Sequence, residues 1–431
     1  MNVCVIGLGY VGLPTAALAA AAGHAVAGYD AQERLRADLT RRIVRGVERE
    51  VRDLATHEIA AGRLRICDEV EPADAYIVCV PTPALGDRPD LRHFEDAAER
   101  VCRVIGRGEL LIVESTVPPG TTERVVSRAL HRHGKSLKDI RLAHAPERVL
   151  PGSIVRELRE NERIIGGRVA ADAAAAKALY ASFVNAAIHT TDLRTAEFVK
   201  VIENAYRDVN IAFANELALF CEGLGIDVWE AIGLANNHPR VNILQPGPGV
   251  GGHCIPIDPR FLADANPFAT ELIQASRRVN DRMPFLIARR ILRYVDVCGP
   301  QRRIALFGAT YKANVNDVRG SPARKICEFL NEQGCETTIF DPHARLADLC
   351  ASAREALAGA DALVLVVDHD AFRAITPALA REVMRTPILI DCRNYFKTPE
   401  WQAAGFTVYT LGKSSDLPRT AALGISGRLG A

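Results

Sequence analysis

Cys254 closes the run Gly249-Val-Gly-Gly-His253-Cys254, a free thiol set behind three glycines. Bare backbone amides in such a run can approach a ligand and stabilise negative charge. A thiolate there is a competent nucleophile if its pKa is lowered, although the ordinary fate of a free cysteine is to serve as a small buried hydrophobe. Asp258 follows four residues later and precedes Pro259. On spacing alone that pair also reads as a helix N-cap with proline at the first helical position. Lys200 and Asn204, again four apart, project from one face of a helix that is otherwise apolar at Phe198, Val199, Val201, Ile202 and Ala205. Spacing by itself makes those two a solvated edge.

A second kind of chemistry is written at the start of the chain. The apolar run Val3–Ile6 leads into Gly7-Leu8-Gly9-Tyr10-Val11-Gly12 and then an alanine-rich helix former. In a strand–turn–helix of this type Gly7 permits the tight turn, Gly9 admits a pyrophosphate, and Gly12 lets helix and strand pack closely. The helix N-terminus then offers unpaired N–H groups to phosphate. Asp30, at the end of the second apolar run, is placed to accept from the adenosine ribose hydroxyls, which favours NAD over NADP. Arg34 nearby leaves NADP open. A lone glycine turn with a surface acid is the structural alternative.

The elements that must carry these residues alternate. Strand-like runs at Val3–Ile6, Ala25–Tyr29, Ala75–Val80, Leu110–Glu114 and Ile140–His144 are separated by helical stretches, which predicts a parallel sheet with helices on both faces. The pattern then becomes one long amphipathic helix from Thr195 to Glu222, stopped at Gly223, and a second from Pro267 to about Val297. The glycine- and proline-rich stretch between them, 245–252, reads as a loop. After Cys298-Gly-Pro300 strand-like runs return at Ile304–Gly308, Thr337–Asp341, Ala362–Val367, Ile388–Asp391 and Thr407–Leu411. The expected architecture is α/β: two Rossmann-like, doubly wound parallel-sheet domains joined by a central helical domain with a long helix. The expected spans are 1–190, 191–297 and 298–412, followed by a loose tail at 413–431.

Composition narrows the partners. Among 431 residues, 53 are Lys or Arg and 52 are Asp or Glu, a net charge of +1 that gives no reason to expect nucleic acid or an anionic membrane. An apolar share of 48% with 24% charged residues supports large cores. The eleven cysteines form no CxxC pair, so neither a disulfide framework nor a zinc or other metal site is supported. Met1-Asn2 leads directly into the first strand without a basic leader, and the Ala16–Ala22 run is too short to span a bilayer. A soluble protein of the reducing cytosol is expected.

Seven motifs in order carry a resemblance. They are GLGYVG at 7–12, VPTP at 80–83, ESTVPPGTT at 114–122, APERVLPG at 145–152, FVKVIENAYRDVNIAFANE at 198–216, PGPGVGGHCIPIDP at 246–259 and GATYKANVNDVRGSP at 308–322. Together they cover the chain up to about Gly412, and the chain resembles the UDP-glucose/GDP-mannose 6-dehydrogenase family. The APERVLPG and GPGVGGHCIPIDP versions are most similar to its UDP-N-acetyl-D-mannosamine branch. Pro146-Glu147-Arg148 stands where UDP-glucose enzymes carry a PEF-type motif, which argues against plain UDP-glucose.

The resemblance implies a four-electron oxidation of a UDP-sugar C6 alcohol to the carboxylate with two NAD in succession. Cys254 would capture the aldehyde as a thiohemiacetal that becomes a thioester. Lys200 and Asn204 would stabilise the developing alkoxide, Asp258 would activate water, and Thr116 and Glu147 would arrange the site. The cofactor set would be Gly7, Gly9, Tyr10, Val11, Gly12, Asp30, Val80, Pro81, Thr82 and, from the third domain, Arg319. Sugar contacts would come from Glu147, Arg148, Val149, Lys200, Asn204, Gly251, Lys312 and Arg393, with Arg240 reaching a neighbouring subunit's substrate in a homodimer or higher oligomer built on the middle helices. UDP-N-acetylglucosamine and other nucleotide sugars compete as substrates. A two-electron β-hydroxyacid dehydrogenase would leave Cys254 and the third domain unexplained, and a non-catalytic NAD sensor would have no need of cysteine, lysine, asparagine and aspartate together.

Overall fold

The computed structural model describes residues 1–86, 88–149 and 152–413, so most of the expected tail lies outside the described residues. The first sheet has eight strands: β1 Asn2–Ile6, β2 Ala25–Tyr29, β3 Leu64–Ile66, β4 Ala75–Val78, β5 Leu110–Val113, β6 Arg141–His144, β7 Arg163–Gly167 and β8 Ile188–Asp192. Their spatial order is β3-β2-β1-β4-β5-β6-β7-β8, the strand order of a dinucleotide-binding sheet with two strands added at one edge. All pairings are parallel except β6 with β7, which is antiparallel. The second sheet has β9 Arg303–Phe307, β10 Glu336–Phe340, β11 Ala362–Leu365, β12 Ile388–Asp391 and β13 Thr407–Thr410, all parallel, in the order β10-β9-β11-β12-β13.

Both sheets are covered on two faces, so their strands read as continuous apolar runs. Side chains still alternate by face. Val3 and Val5 pack into one core, Cys4 and Ile6 into the other. In the second sheet Ile304 and Leu306 enter one core, Ala305 and Phe307 the other.

The helices used below are α1 Gly12–Ala21, α2 Thr121–Arg132, α3 Leu193–Leu224, α4 Val228–Ala235, α5 Asp258–Ala265 and α6 Glu271–Val295. Helix α3 is 32 residues long and runs through Gly223, the expected stop. The residue that ends it is Gly225, which adopts φ 74°, the left-handed conformation that terminates helices. Helix α6 begins at Glu271 and not at Pro267, because Pro267–Ala269 forms a separate 3₁₀ turn. Pro284 lies inside α6 and its ring faces Gly249 of the glycine-rich loop.

The chain divides into two compact units, Met1–Asn204 with Arg260–Ala269, and Ala205–Pro259 with the residues from Thr270 on. In the second unit α6 and the C-terminal half of α3 share one core with the second sheet, through Ala214, Ala218, Met283, Ile287, Ile291, Ile304 and Leu306. No helix among the described residues is long and apolar enough to cross a membrane.

Candidate active site

The candidate residues fall into two sets, one in each unit. In the first, the turn after β1 has the geometry that its glycines predict. Gly7 has φ 91°, and a Cβ there would lie 2.6 Å from the Cys79 carbonyl oxygen. A Cβ on Gly12 would lie 1.8 Å from the Gly7 oxygen, whereas one on Gly9 would meet nothing within 4 Å. Two glycines are therefore required by packing, and the third leaves open space on the side where a ligand's phosphates would lie. The N-cap of α1, Val11, makes no side-chain cap, so the N–H groups of its first turn are not satisfied by a cap of its own.

Asp30 is buried, and its two oxygens accept the N–H groups of Leu8 and Gln32, each at 2.8 Å. This carboxylate fixes the turn and retains lone pairs for a ribose. These features fit a dinucleotide. Tyr10 donates its hydroxyl to Glu48 at 2.7 Å, and Glu48 also accepts from Gly152 and Ile154. The Val80–Thr82 turn is stitched to the strand beside it: Val80 N–H donates to Ser115 Oγ at 2.9 Å and Thr82 Oγ1 to the Thr116 carbonyl at 2.5 Å.

Beneath this turn lies a polar cluster that sequence reasoning did not single out. Glu114 and Arg163 form an ion pair in which both side chains are buried. Glu114 also accepts from Thr15 Oγ1 at 3.2 Å, Cys79 Sγ at 2.8 Å and the Tyr180 hydroxyl at 3.2 Å. The Arg163 guanidinium stacks 4.2 Å from the Tyr180 ring. Burial lowers the Arg163 pKa and raises those of Cys79 and Tyr180. The only signal in the sequence was a charged residue directly after the apolar run Leu110–Val113.

Lys200 and Asn204 are not a solvated edge: their relative exposures are 6% and 0%. Glu197, one turn before Lys200 and also buried, accepts the N–H groups of Gly120 and Thr122 at the start of α2. That anchors the first turns of α3 to the ESTVPPGTT loop. Glu147 accepts the Val149 N–H. Arg148 is paired with Glu203 of α3 at 2.5 Å and donates to the Glu162 carbonyl at 2.9 Å.

In the second unit a buried polar ladder leads to the glycine-rich loop. Arg277 pairs with Asp208 at 2.5 Å, and Asn280 Nδ2 donates to Asp208 at 2.8 Å. Asn215 Nδ2 donates to Asn280 at 2.9 Å, and Gly247 N–H donates to Asn215 at 2.9 Å. The glycines of the loop are explained by close packing. A Cβ on Gly251 would lie 2.8 Å from the Gly320 oxygen, and one on Gly252 would lie 3.1 Å from the Tyr311 ring. Gly252 N–H donates to the Arg319 carbonyl at 2.9 Å. At Gly252, then, the expectation of a bare amide facing a ligand is corrected.

Cys254 is half-buried at the end of this loop, and its carbonyl accepts the N–H groups of Ile257 and Asp258. Asp258 is buried and opens α5. The sulfur lies close enough to Tyr311 and Arg319 to act on their ionisation. Arg319 is clamped by Asp317 at 2.6 Å, which raises its pKa, and His253 stands 3.7 Å from the same carboxylate.

Lys312 and Arg393 meet at one cleft of about 240 Å³, with Pro248, Gly249, Tyr311 and Asp368 also lining it. Arg393 is held there by Asp368 at 3.2 Å and by the Pro246 carbonyl at 3.2 Å. Arg240 is exposed and does not line the cleft.

Comparison with known proteins covers most of the chain. Residues 1–184, 194–282 and 305–398 match the NAD binding, central and UDP binding domains of the UDP-glucose/GDP-mannose dehydrogenase family. The chain is 42% identical over 421 residues to a UDP-N-acetyl-D-mannosamine dehydrogenase of Methanocaldococcus jannaschii, covering 95% of this chain and 96% of the relative. It is 42% identical over 410 residues to an NDP-N-acetyl-D-galactosaminuronic acid dehydrogenase of Ralstonia nicotianae, covering 91% and 96%. The solved UDP-N-acetyl-D-mannosamine dehydrogenase of Pyrococcus horikoshii superposes with a TM-score of 0.91 at 40% identity, covering 96% and 99%. That of Staphylococcus aureus gives 0.88 at 36% identity, with the same coverage. A dinucleotide turn, a glycine loop ending in cysteine and a two-cation cleft, on three segments matched in order, mark the chain as a member of the UDP-glucose/GDP-mannose dehydrogenase family of NAD-dependent nucleotide-sugar dehydrogenases.

Proposed function

We propose that this enzyme oxidises the C6 alcohol of UDP-N-acetyl-D-mannosamine to the carboxylate. The observation that carries the substrate is the 40–42% identity, over nearly the whole chain, to relatives that bear that name. The similarity to the galactosaminuronic acid enzyme supports a second reading, a UDP-N-acetylhexosamine of different stereochemistry. We assign NAD to residues 1–190, a central segment to 191–297 and the nucleotide sugar to 298–412. Gly7, Gly9, Tyr10, Val11, Gly12, Asp30, Val80, Pro81, Thr82 and Arg319 would hold NAD. Bound NAD+ supplies the hydride acceptor, one dinucleotide for each of two oxidations.

The residues of the chain do the rest. Lys200 and Asn204 stabilise negative charge on the C6 oxygen. The Cys254 thiolate adds to the C6 aldehyde, forming a C–S bond and returning the carbonyl pair to oxygen, so no free aldehyde escapes. After the second oxidation C6 is a thioester. Asp258 takes a proton from water as that water adds to the thioester carbonyl, and the thiolate leaves. Thr116 and Glu147 arrange this site, and Glu147, Arg148, Val149, Gly251, Lys312 and Arg393 face the nucleotide sugar. A sugar panel tests the substrate: UDP-N-acetyl-D-mannosamine should give the highest kcat/KM, and a higher value for UDP-N-acetylglucosamine would overturn the choice. Cys254→Ser should stop acid formation while NAD still binds, and near-normal acid production would sink the covalent route.

We place the enzyme in a reducing cytosol, which suits its eleven free thiols. We further propose a homodimer through α3. Tyr206, Phe213 and Phe220 are spaced by seven residues and so share one face, and they are 58%, 48% and 64% exposed. A second copy of the same stripe would cover them symmetrically and let Arg240 reach the partner's site. Light scattering that reports a fully active monomer would refute this assembly.

A further inference from the structure

The loop that carries Lys312 is tied to the chain beyond β11 by a buried histidine. His369 is fully buried, and its Nδ1 accepts the backbone N–H of Asn314 at 2.9 Å. A ring nitrogen that accepts an N–H carries no proton, so the neutral ring holds its proton on Nε2. Nε2 stands 3.0 Å from both Asp341 Oδ2 and Thr310 Oγ1. The Thr310 hydroxyl donates onward to the Lys312 carbonyl at 3.1 Å. The histidine therefore reaches the loop on both sides of Lys312.

Its chain neighbours complete the arrangement. Asp368 binds Arg393, the other cation of the cleft. Asp370 accepts from Asn314 Nδ2 at 2.8 Å and donates its own N–H to Asn314 Oδ1 at 3.1 Å. Asn314 is held at φ 58°, a conformation that costs free energy for a non-glycine residue and persists where surrounding bonds impose it. Val366 and Val367, just before this segment, line the same cleft.

We propose that His369 is a positioning residue for nucleotide-sugar binding, fixing the backbone around Lys312 through the Asn314 N–H so that the ammonium faces the cleft opposite Arg393. The inference rests on the reading of that cleft as the UDP-binding site. Asparagine at 369 can present an acceptor near the place of Nδ1, whereas glutamine reaches the place of Nε2 and leaves the Asn314 N–H unpaired.

Calorimetric titration of the full chain with UDP and with NAD, together with steady-state kinetics, separates the cases. His369→Gln should weaken UDP binding about tenfold and raise KM for the nucleotide sugar with kcat within about twofold, while NAD affinity is unchanged. His369→Asn should restore UDP affinity to within about threefold of wild type. Equal losses in the two variants, or a glutamine variant that binds UDP as wild type does, would overturn the role. If the glutamine variant does not fold, Thr310→Val removes the hydroxyl's contact with His369 Nε2 and its onward bond to Lys312 while leaving the Asn314 N–H on Nδ1, and about threefold weaker UDP binding is expected. Unchanged binding in that variant would count against the inference. A wild-type protein that binds no UDP would instead overturn the reading of the cleft, and the inference with it.

Discussion

The two sheets begin alike and then part. Each first strand ends at a glycine with positive φ, Gly7 at 91° and Gly308 at 103°, and each second strand is followed by a buried aspartate that accepts N–H groups from that turn. In the first domain the helix starts at once, at Gly12, with no side-chain cap. In the second it starts only at Pro322, capped by Ser321 Oγ on the Ala323 N–H at 3.2 Å, and residues 309–321 intervene. Asp30 accepts two backbone N–H groups, whereas Asp341 accepts those of Ala309, Thr310, His343 and Ala344 and lies beside His369 Nε2. The first domain thus leaves its helix N-terminus to a phosphate. The second seals its turn with its own side chains and offers Lys312 and Arg393 instead. On the assignment proposed above, one strand–turn geometry would hold a diphosphate in two ways: backbone amides with a helix dipole in one, side-chain cations in the other.

The largest expected effect breaks the first turn alone. Gly12→Val places side-chain atoms against the Gly7 carbonyl and should weaken NAD binding at least a hundredfold, with UDP affinity preserved in the same calorimetric experiment. Loss of both affinities together would remove the distinction between the domains.

The two aspartates come next. Asp341→Ala strands several buried donors and should cost about 3–5 kcal/mol of stability, read as a lower denaturant midpoint. Asp30→Ala frees only two backbone donors beside a ligand cleft, and should mainly weaken NAD about tenfold. Equal destabilisation by the two would show that the second turn is no more sealed than the first.

The last effect is one of pH. His144, at the end of β6, is wholly buried with Nε2 unpaired, and burial lowers its pKa to about 3. Because the folded pKa lies below the unfolded value near 6.5, its contribution to stability is complete above pH 6.5 and declines as pH falls toward 3. By pH 5 the loss is about 2 kcal/mol. His144→Gln should flatten that part of the stability profile, and an unchanged slope between pH 6.5 and 5 would assign the loss elsewhere.

How much of this was legible in the sequence follows from where each signal resides. Runs such as Leu110–Val113, buried on both faces, announce themselves as strands. Arg163–Gly167 and Ile188–Asp192 did not: the first has only two apolar residues before a pair of glycines, and the second is polar and largely exposed at the sheet edge. Gly223 looked like a helix stop because sequence gives residue type but not φ; Gly225 adopts the left-handed conformation. Cys254, Asp258 and the glycine turn stood out as motifs. Burial decided Lys200 and Asn204, and spacing alone misassigned them to a solvated edge. Glu114, Arg163 and His369 were illegible for the same reason: a charged or ring side chain becomes an organising group only when tertiary packing removes it from water and surrounds it with donors and acceptors.

The central claim is that one enzyme carries out two successive oxidations with the intermediate held on Cys254. The most direct measurement is the NADH formed per UDP-N-acetyl-D-mannosamine consumed, followed to completion with the sugar product identified. Two NADH per sugar, with the uronate as sole product and no aldehyde trapped by an added amine, is the predicted result. One NADH per sugar, with aldehyde accumulating in the trap, would contradict it.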